Sequence, residues 1–175
     1  MTKVLIVYSS TDGHTLKICD RLKQTIEQSG QPVTLVPVEQ SGEADLQAFD
    51  KIVIGASIRY GKHSKLVVDF IHANVALLEA RPNAFFSVSI VARKPDRNRP
   101  DTNPYLRRFL RTLPWRPQKL AVFAGKLDYP RYGAMDRMMI RLIMWITGGP
   151  TDPATVVEFT DWQAVEAFGR VVSEM

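Results

Sequence analysis

The chain of 175 residues is 45% hydrophobic, which suits one domain spanning residues 1–175 with a two- or three-layer core. Its single cysteine, Cys19, excludes an internal disulfide and a cysteine-based zinc cluster, so a reducing cytoplasm is the expected compartment. The net charge of +5 is regional: Arg93 to Arg141 carries 13 Lys/Arg against four acids (Asp96, Asp101, Asp128, Asp136), a local +9 that leaves −4 elsewhere, so an anionic substrate, membrane surface or nucleic acid would meet that part of the chain.

In chain order, Val4 to Tyr8 is apolar on both faces, as in a strand covered by helices on either side. No secretory leader is expected, because this first apolar run is short and already reads as a strand. The strand runs into Ser9-Ser10-Thr11-Asp12-Gly13-His14-Thr15 and then a helix, roughly Thr15 to Ser29, closed by Gly30. A helix N-terminus offers unpaired N–H groups and partial positive charge. With hydroxyls from Ser9, Ser10, Thr11 and Thr15, and with Gly13 letting the backbone approach closely, that turn can hold a phosphate without a lysine. Read locally, the same residues also fit a plain β–turn–α unit with a well-capped helix. Gly-x-Gly-x-x-Gly and Gly-x-x-x-x-Gly-Lys-Ser/Thr are both absent, so neither a Rossmann dinucleotide site nor a P-loop is supported. The acids of a phosphoacceptor receiver are replaced by Ser9, Ser10 and Ser57. Cys19 shares a helix face with Leu22 and Ile26 and reads as an inert core thiol.

Val33 to Val36, set between Pro32 and Pro37, reads as an outer strand. Asp50 to Ser57 reads as a central strand, and Ile58-Arg59-Tyr60-Gly61-Lys62-His63 as the loop at its carboxyl end, where ligands of parallel sheets sit. Ser64 caps a helix to about Glu79, with Val67, Phe70, Ile71, Asn74, Val75 and Leu78 on its buried stripe. Ala84 to Val91 is the fourth strand, and Ala92 to Pro100 a basic, proline-rich loop. Asn103 and Pro104 open a helix that buries Leu106, Phe109, Leu110 and Leu113 and stops at Pro114, with Arg107, Arg108 and Arg111 toward solvent. Lys119 to Gly125 is the fifth strand. A last helix starts at Thr160 with Gln163 completing a capping box, and buries Trp162, Val165, Phe168 and Val172.

Strands alternating with helices call for an α/β fold, a doubly wound five-stranded parallel sheet of order 2-1-3-4-5, with the two ligand loops flanking one crevice at the switch point. Lys126 to Thr151 is a late insertion after the fifth strand, and Thr155 to Phe159 is expected to return to the sheet edge. Around Ala134 to Thr147 the insertion forms a helix with Met135, Met138, Met139, Leu142, Ile143, Trp145 and Ile146 on a broad apolar surface and Arg137 and Arg141 on the other side. It is too short to span a bilayer. It suits either an anionic membrane surface or packing on this protein's own sheet edge or a second subunit.

As an ordered set, these features resemble flavodoxin-like FMN proteins over essentially the whole chain. The resemblance carries over Ser10, Thr11, Asp12, Gly13, His14 and Thr15 as the phosphate loop, Asp12 and His14 by their backbone only. It carries over Ser57, Ile58, Arg59, Tyr60 and Gly61 as the loop beside the flavin ring, and Val91, Ala92, Arg93 and Lys94 as the other wall. Carrier flavodoxins are usually acidic, whereas Arg93, Lys94, Arg97 and Arg99 make this loop basic. The length, the Tyr8-to-Thr15 loop, the basic loop and the late amphipathic insertion are similar to the bacterial quinone-dependent protoporphyrinogen IX dehydrogenase family. That resemblance implies FMN as cofactor, protoporphyrinogen IX as substrate, menaquinone or ubiquinone as acceptor, and a peripheral place on the inner face of the cell membrane, with arginines of the basic loop pairing with the two propionates. His63 and Tyr60 are the nearby candidates for a proton acceptor or ring contact, though a hydrogen-bonding or exposed histidine is the commoner case; no catalytic residue is assigned, and no cluster has metal-ligand spacing. Two other readings share the fold: a soluble FMN-dependent NAD(P)H:quinone reductase, and a non-catalytic module binding membrane or nucleic acid. Nucleic acid ranks last, because Tyr105, Phe109 and Trp115 follow a core-facing pattern rather than interleaving with exposed arginines.

Overall fold

The computed structural model describes all 175 residues. Five strands, β1 (Val4–Ser9), β2 (Val33–Pro37), β3 (Lys51–Arg59), β5 (Asn83–Ser89) and β6 (Lys119–Ala124), form a parallel sheet in the order β2-β1-β3-β5-β6, and the two-residue β4 (Lys62–His63) pairs antiparallel with the end of β3. Among the five parallel strands this is the doubly wound order 2-1-3-4-5. Side chains alternate across the sheet, as a two-residue period requires. Leu5 and Val7 of β1 join Ile52, Ile54, Phe85 and Val122 in one core, while Val4 and Ile6 join Val53, Phe86 and Phe123 in the other. The first core is covered by α2 (Lys65–Ala73), α3 (Val75–Ala80) and α4 (Pro104–Thr112), and the second by α1 (His14–Glu27) and α6 (Trp162–Glu174). Between β1 and β5, β3 carries Gly55, where any side chain would collide with the ring of Phe86.

Four local expectations are corrected. The helix from Ser64 to Glu79 is two helices, since the Asn74 amide donates to Phe70 O and its N–H to Ile71 O, and the backbone leaves helical geometry there at φ −125°. The last helix is capped by Asp161, which accepts from Ala164 N; Thr160 is diverted, its hydroxyl donating to Ala124 O. Trp162 is therefore half-buried at the helix start rather than in the core. Finally, the returning segment does not join the main sheet. The insertion begins with β7 (Lys126–Asp128), and β8 (Val156–Glu158) pairs antiparallel with it in a separate two-stranded sheet.

Between these two strands the chain makes a short turn (Tyr129–Arg131) and then α5 (Ala134–Thr147). Leu127, Tyr129, Tyr132 and Met144 close into a small third core. The rest of the apolar side of α5 stays outside: Met135 is 74% exposed, Met138 64%, Trp145 73% and Ile146 69%. The face is thus not packed on the sheet edge of the same chain. No helix is long and apolar enough to cross a membrane.

Candidate functional site

At the carboxyl end of the sheet a crevice, open to solvent, lies between the loop after β1, the end of β3, the segment after β5 and the insertion.

Its floor is built by β1 delivering Ser10, Thr11 and Asp12 to the start of α1. Gly13 takes a left-handed φ of +83°, and its N–H donates to Ser10 Oγ at 3.1 Å. No side chain caps α1 and no acid sits in its first turn. The first N–H groups of a 14-residue helix are therefore left for an external anion, which the helix dipole favours. The two side chains that depart from the common flavodoxin pattern are engaged elsewhere. Asp12 accepts from Arg59 Nη2 at 3.1 Å and 3.3 Å, and His14 Nε2 lies 2.6 Å from Thr160 Oγ1 with its ring edge toward Trp162. Burial holds the His14 imidazole below its usual pKa.

The expected loop from Ile58 to His63 is instead a tight hairpin. Arg59 pairs with Lys62 across a two-residue turn in which Tyr60 (φ +50°) and Gly61 (φ +74°) are both left-handed, the type I′ geometry that matches strand twist. A tyrosine in that conformation is uncommon. Here it lifts the Tyr60 ring, nearly half exposed, to the mouth of the crevice, where its hydroxyl donates to Asp136 at the start of α5. Arg59 also reaches Asp136, at 3.2 Å, so one guanidinium joins the phosphate loop to the insertion.

The same hairpin turns His63 away from the crevice. Its ring centroid lies 4.1 Å from that of Phe109 and 5.8 Å from that of Phe85, and Nε2 is 2.8 Å from Ser87 Oγ. Desolvation pulls its pKa down to about 4. The ring is thus packed among aromatics of the first core, outside the walls of the crevice.

Of the residues expected at the site, the crevice brings together Ser10, Thr11, Asp12, His14, Thr15, Ser57, Ile58, Arg59, Tyr60, Gly61, Val91 and Arg93. Gly13, Ala92 and Lys94 are not among its walls: Gly13 shapes the turn, Ala92 is buried in the first core, and Lys94 follows the tight turn Ile90–Arg93. Arg97 and Arg99 also lie outside, each beside a neighbouring acid, Asp96 or Asp101. The charge excess of the basic loop therefore does not translate into a cationic wall. Arg93 does reach the crevice but is committed, donating to Ile90 O, Thr147 O and Thr147 Oγ1.

Sequence reasoning missed the wall made by the insertion. Tyr132, Ile140, Ile143, Met144 and Thr147 line the crevice, together with Lys126, Asp128 and Arg131. The amphipathic pattern of α5 marked a buried side but not its contact. It also put Arg137 and Arg141 opposite the apolar surface without naming partners within the chain; Arg137 donates to Tyr129 O and Tyr132 O, and Arg141 to Thr151 O. Carbonyls stranded in the turns of the insertion account for both.

The residues present fit FMN. Besides the uncapped start of α1, Ser89 lines the crevice with a hydroxyl that is buried and has no partner in the chain. A buried polar atom of this kind costs about 1–3 kcal/mol until something pairs with it, and the polar edge of a flavin can do so. The apolar walls from Ile58, Val91, Ile140 and Met144 suit the ring system.

The flavodoxin-domain family model matches residues 5–154. Protoporphyrinogen IX dehydrogenase (quinone) of Escherichia coli (strain K12) is 41% identical to this chain over 173 residues, 99% of this chain and 96% of that protein. The protein of the same name from Leishmania major is 42% identical over 95% of this chain and 72% of its own length. Among solved structures, oxidised flavodoxin 2 from Bacillus cereus superimposes with a TM-score of 0.58 at 19% identity, covering 99% of both chains. An archaeal flavodoxin gives 0.57 at 14%, covering 99% of this chain and 97% of its own. The solved structures show the fold.

Proposed function

The chain belongs to the flavodoxin family and, within it, to the quinone-linked protoporphyrinogen IX dehydrogenases, and from this we propose that it oxidises protoporphyrinogen IX to protoporphyrin IX in haem biosynthesis, with FMN as cofactor and a quinone as acceptor. The observation that carries the reading is the likeness at 41% identity over 99% of the chain, which includes the insertion that walls the crevice. FMN, when bound, supplies the two-electron acceptor between porphyrinogen and quinone.

The residues of this chain divide the work. The first turn of α1, with the hydroxyls of Ser10, Thr11 and Thr15, holds the FMN phosphate. Ile58, Tyr60 and Val91 flank the ring, and the free hydroxyl of Ser89 meets its polar edge. The insertion wall of Tyr132, Ile140, Ile143 and Met144 gives the macrocycle an apolar face and keeps bulk water from it. Protons from the porphyrinogen leave to solvent through the open mouth, since His63 faces the core and His14 is bonded to Thr160.

The exposed apolar side of α5 supports a place of action at the membrane surface. Its outward side chains meet the acyl boundary of an anionic bilayer on the cytoplasmic side, where quinone is dissolved. Burying each contributes roughly 1–2 kcal/mol, and exposed Arg141 near the headgroups adds about 1 kcal/mol. Menaquinone and ubiquinone both fit this arrangement.

The test is steady-state appearance of protoporphyrin fluorescence from protoporphyrinogen IX under nitrogen. The FMN-loaded protein is combined with anionic liposomes that do or do not contain quinone. Turnover that continues only with quinone present is the expected result. Turnover of NADPH and quinone with no porphyrin formed would replace the reading by a soluble quinone reductase.

A further inference from the structure

Four cationic side chains line the crevice: Arg59, Arg93, Lys126 and Arg131. Three are already satisfied. Arg59 is forked between Asp12 and Asp136, Arg93 is bonded to the carbonyls of Ile90 and Thr147, and Lys126 Nζ lies 3.3 Å from Asp128 Oδ2. Arg131 alone makes no ion pair and no side-chain hydrogen bond within the chain, and it is exposed. Crevice acids do not compete for it, because Asp12, Asp128 and Asp136 each hold one of the other cations.

Its backbone is held firmly. Arg131 ends the short turn Tyr129–Arg131, whose Tyr129 is fully buried and donates its hydroxyl to Pro150 O at 2.7 Å. On the other side Arg137 donates to the carbonyls of Tyr129 and Tyr132. The guanidinium is thus presented from a fixed turn next to an apolar wall, Tyr132, Ile140 and Ile143. A free planar fork beside an apolar face suits a ligand that is apolar in its body and carboxylate at its edge.

Building on the function proposed above, we infer that Arg131 is the specificity-determining residue for the carboxylate of the substrate, pairing with one propionate while the macrocycle lies on the insertion wall. The basic loop, whose arginines are paired or outside the crevice, takes no part in that recognition.

The experiment compares protoporphyrinogen IX with its dimethyl ester, for the FMN-loaded parent, Arg131→Gln and Arg131→Lys. Binding of oxidised protoporphyrin IX and its diester is followed in parallel by tryptophan quenching. For Arg131→Gln the KM for the diacid rises roughly 10- to 100-fold, as for a lost hydrogen bond to a charged group, with kcat kept. The diester is unaffected, and the porphyrin dissociation constants move in step. Arg131→Lys retains part of the preference. An unchanged diacid-to-diester ratio in Arg131→Gln overturns the inference while leaving the function standing. So does a loss confined to liposome binding, which would make Arg131 a headgroup contact. If the parent oxidises neither compound, the functional reading falls and this inference with it.

Discussion

The two ends of the crevice are built in opposite ways. The end proposed for the phosphate is contiguous: Ser10 to Thr15 sit within one strand–turn–helix passage, and its key geometry is the left-handed Gly13 and an uncapped helix start. The insertion end is assembled at long range, with Asp136 reaching Arg59 and Tyr60, and Thr147 holding Arg93. The groups proposed to bind at one end, the helix start and its hydroxyls, lie side by side in the sequence. The other depends on which side chains have found partners. The lesson is that a contiguous anion site can be read residue by residue, whereas the cations of the second end mean nothing until their partners are known.

The largest expected effect breaks the first end alone. Gly13→Val puts a β-branched residue at φ +83°, where left-handed backbone costs about 1–2 kcal/mol and relaxation forfeits at least one hydrogen bond to a charged group, about 1.5–3 kcal/mol. FMN affinity falls by roughly two orders of magnitude or more, read by flavin fluorescence titration, while the circular dichroism of the apoprotein is unchanged. FMN held as tightly as in the parent would show that the phosphate lies elsewhere.

Between the two ends, the hairpin that directs His63 into the core gives a pH signature. At pH 7 the imidazole is neutral both folded and unfolded. Below about 6.5 the unfolded chain takes up a proton that the folded chain refuses until about pH 4. Stability is therefore full above that window and declines as pH falls through it, by about 3 kcal/mol. Urea denaturation at pH 7 and pH 4.5 should show a smaller loss in His63→Phe than in the parent. Equal losses would mean that His63 is solvated and open to a role at the crevice.

Returning to the phosphate end, Ser10→Ala and Thr15→Ala each weaken FMN binding by about 1–3 kcal/mol, additive only in part because the two share one ligand group. At the insertion end the matching change is on the outside. Met138→Ser and Trp145→Ser, both at largely exposed positions, each lower sedimentation with anionic liposomes by about 1 kcal/mol and leave FMN binding untouched. If they alter FMN binding instead, α5 bears on the cofactor rather than on the membrane.

Much of this was legible in the sequence where the information is local. The strand order follows from alternating apolar runs, and the floor of the crevice from hydroxyls and a glycine at a helix start. The hairpin was not legible, because Tyr60 takes a backbone conformation that tyrosine rarely adopts; Gly61 directly after it was the available signal. Counting charge between Arg93 and Arg141 located a basic region but not its free member, since Arg97 and Arg99 are paired outside the crevice and Arg93 is spent on carbonyls. Asp136 in the first turn of α5 hinted that the insertion folds back, but its partner lies 77 residues away.

On the proposed function, the cofactor held at the contiguous end takes electrons from a porphyrinogen and passes them to a membrane quinone. Anaerobic single-turnover spectroscopy tests it most directly. Protoporphyrinogen IX should bleach the visible absorption of the oxidised flavin in the loaded protein, and quinone-containing anionic liposomes should restore it, with no response to NADPH. Bleaching by NADPH with no response to protoporphyrinogen IX would contradict the account.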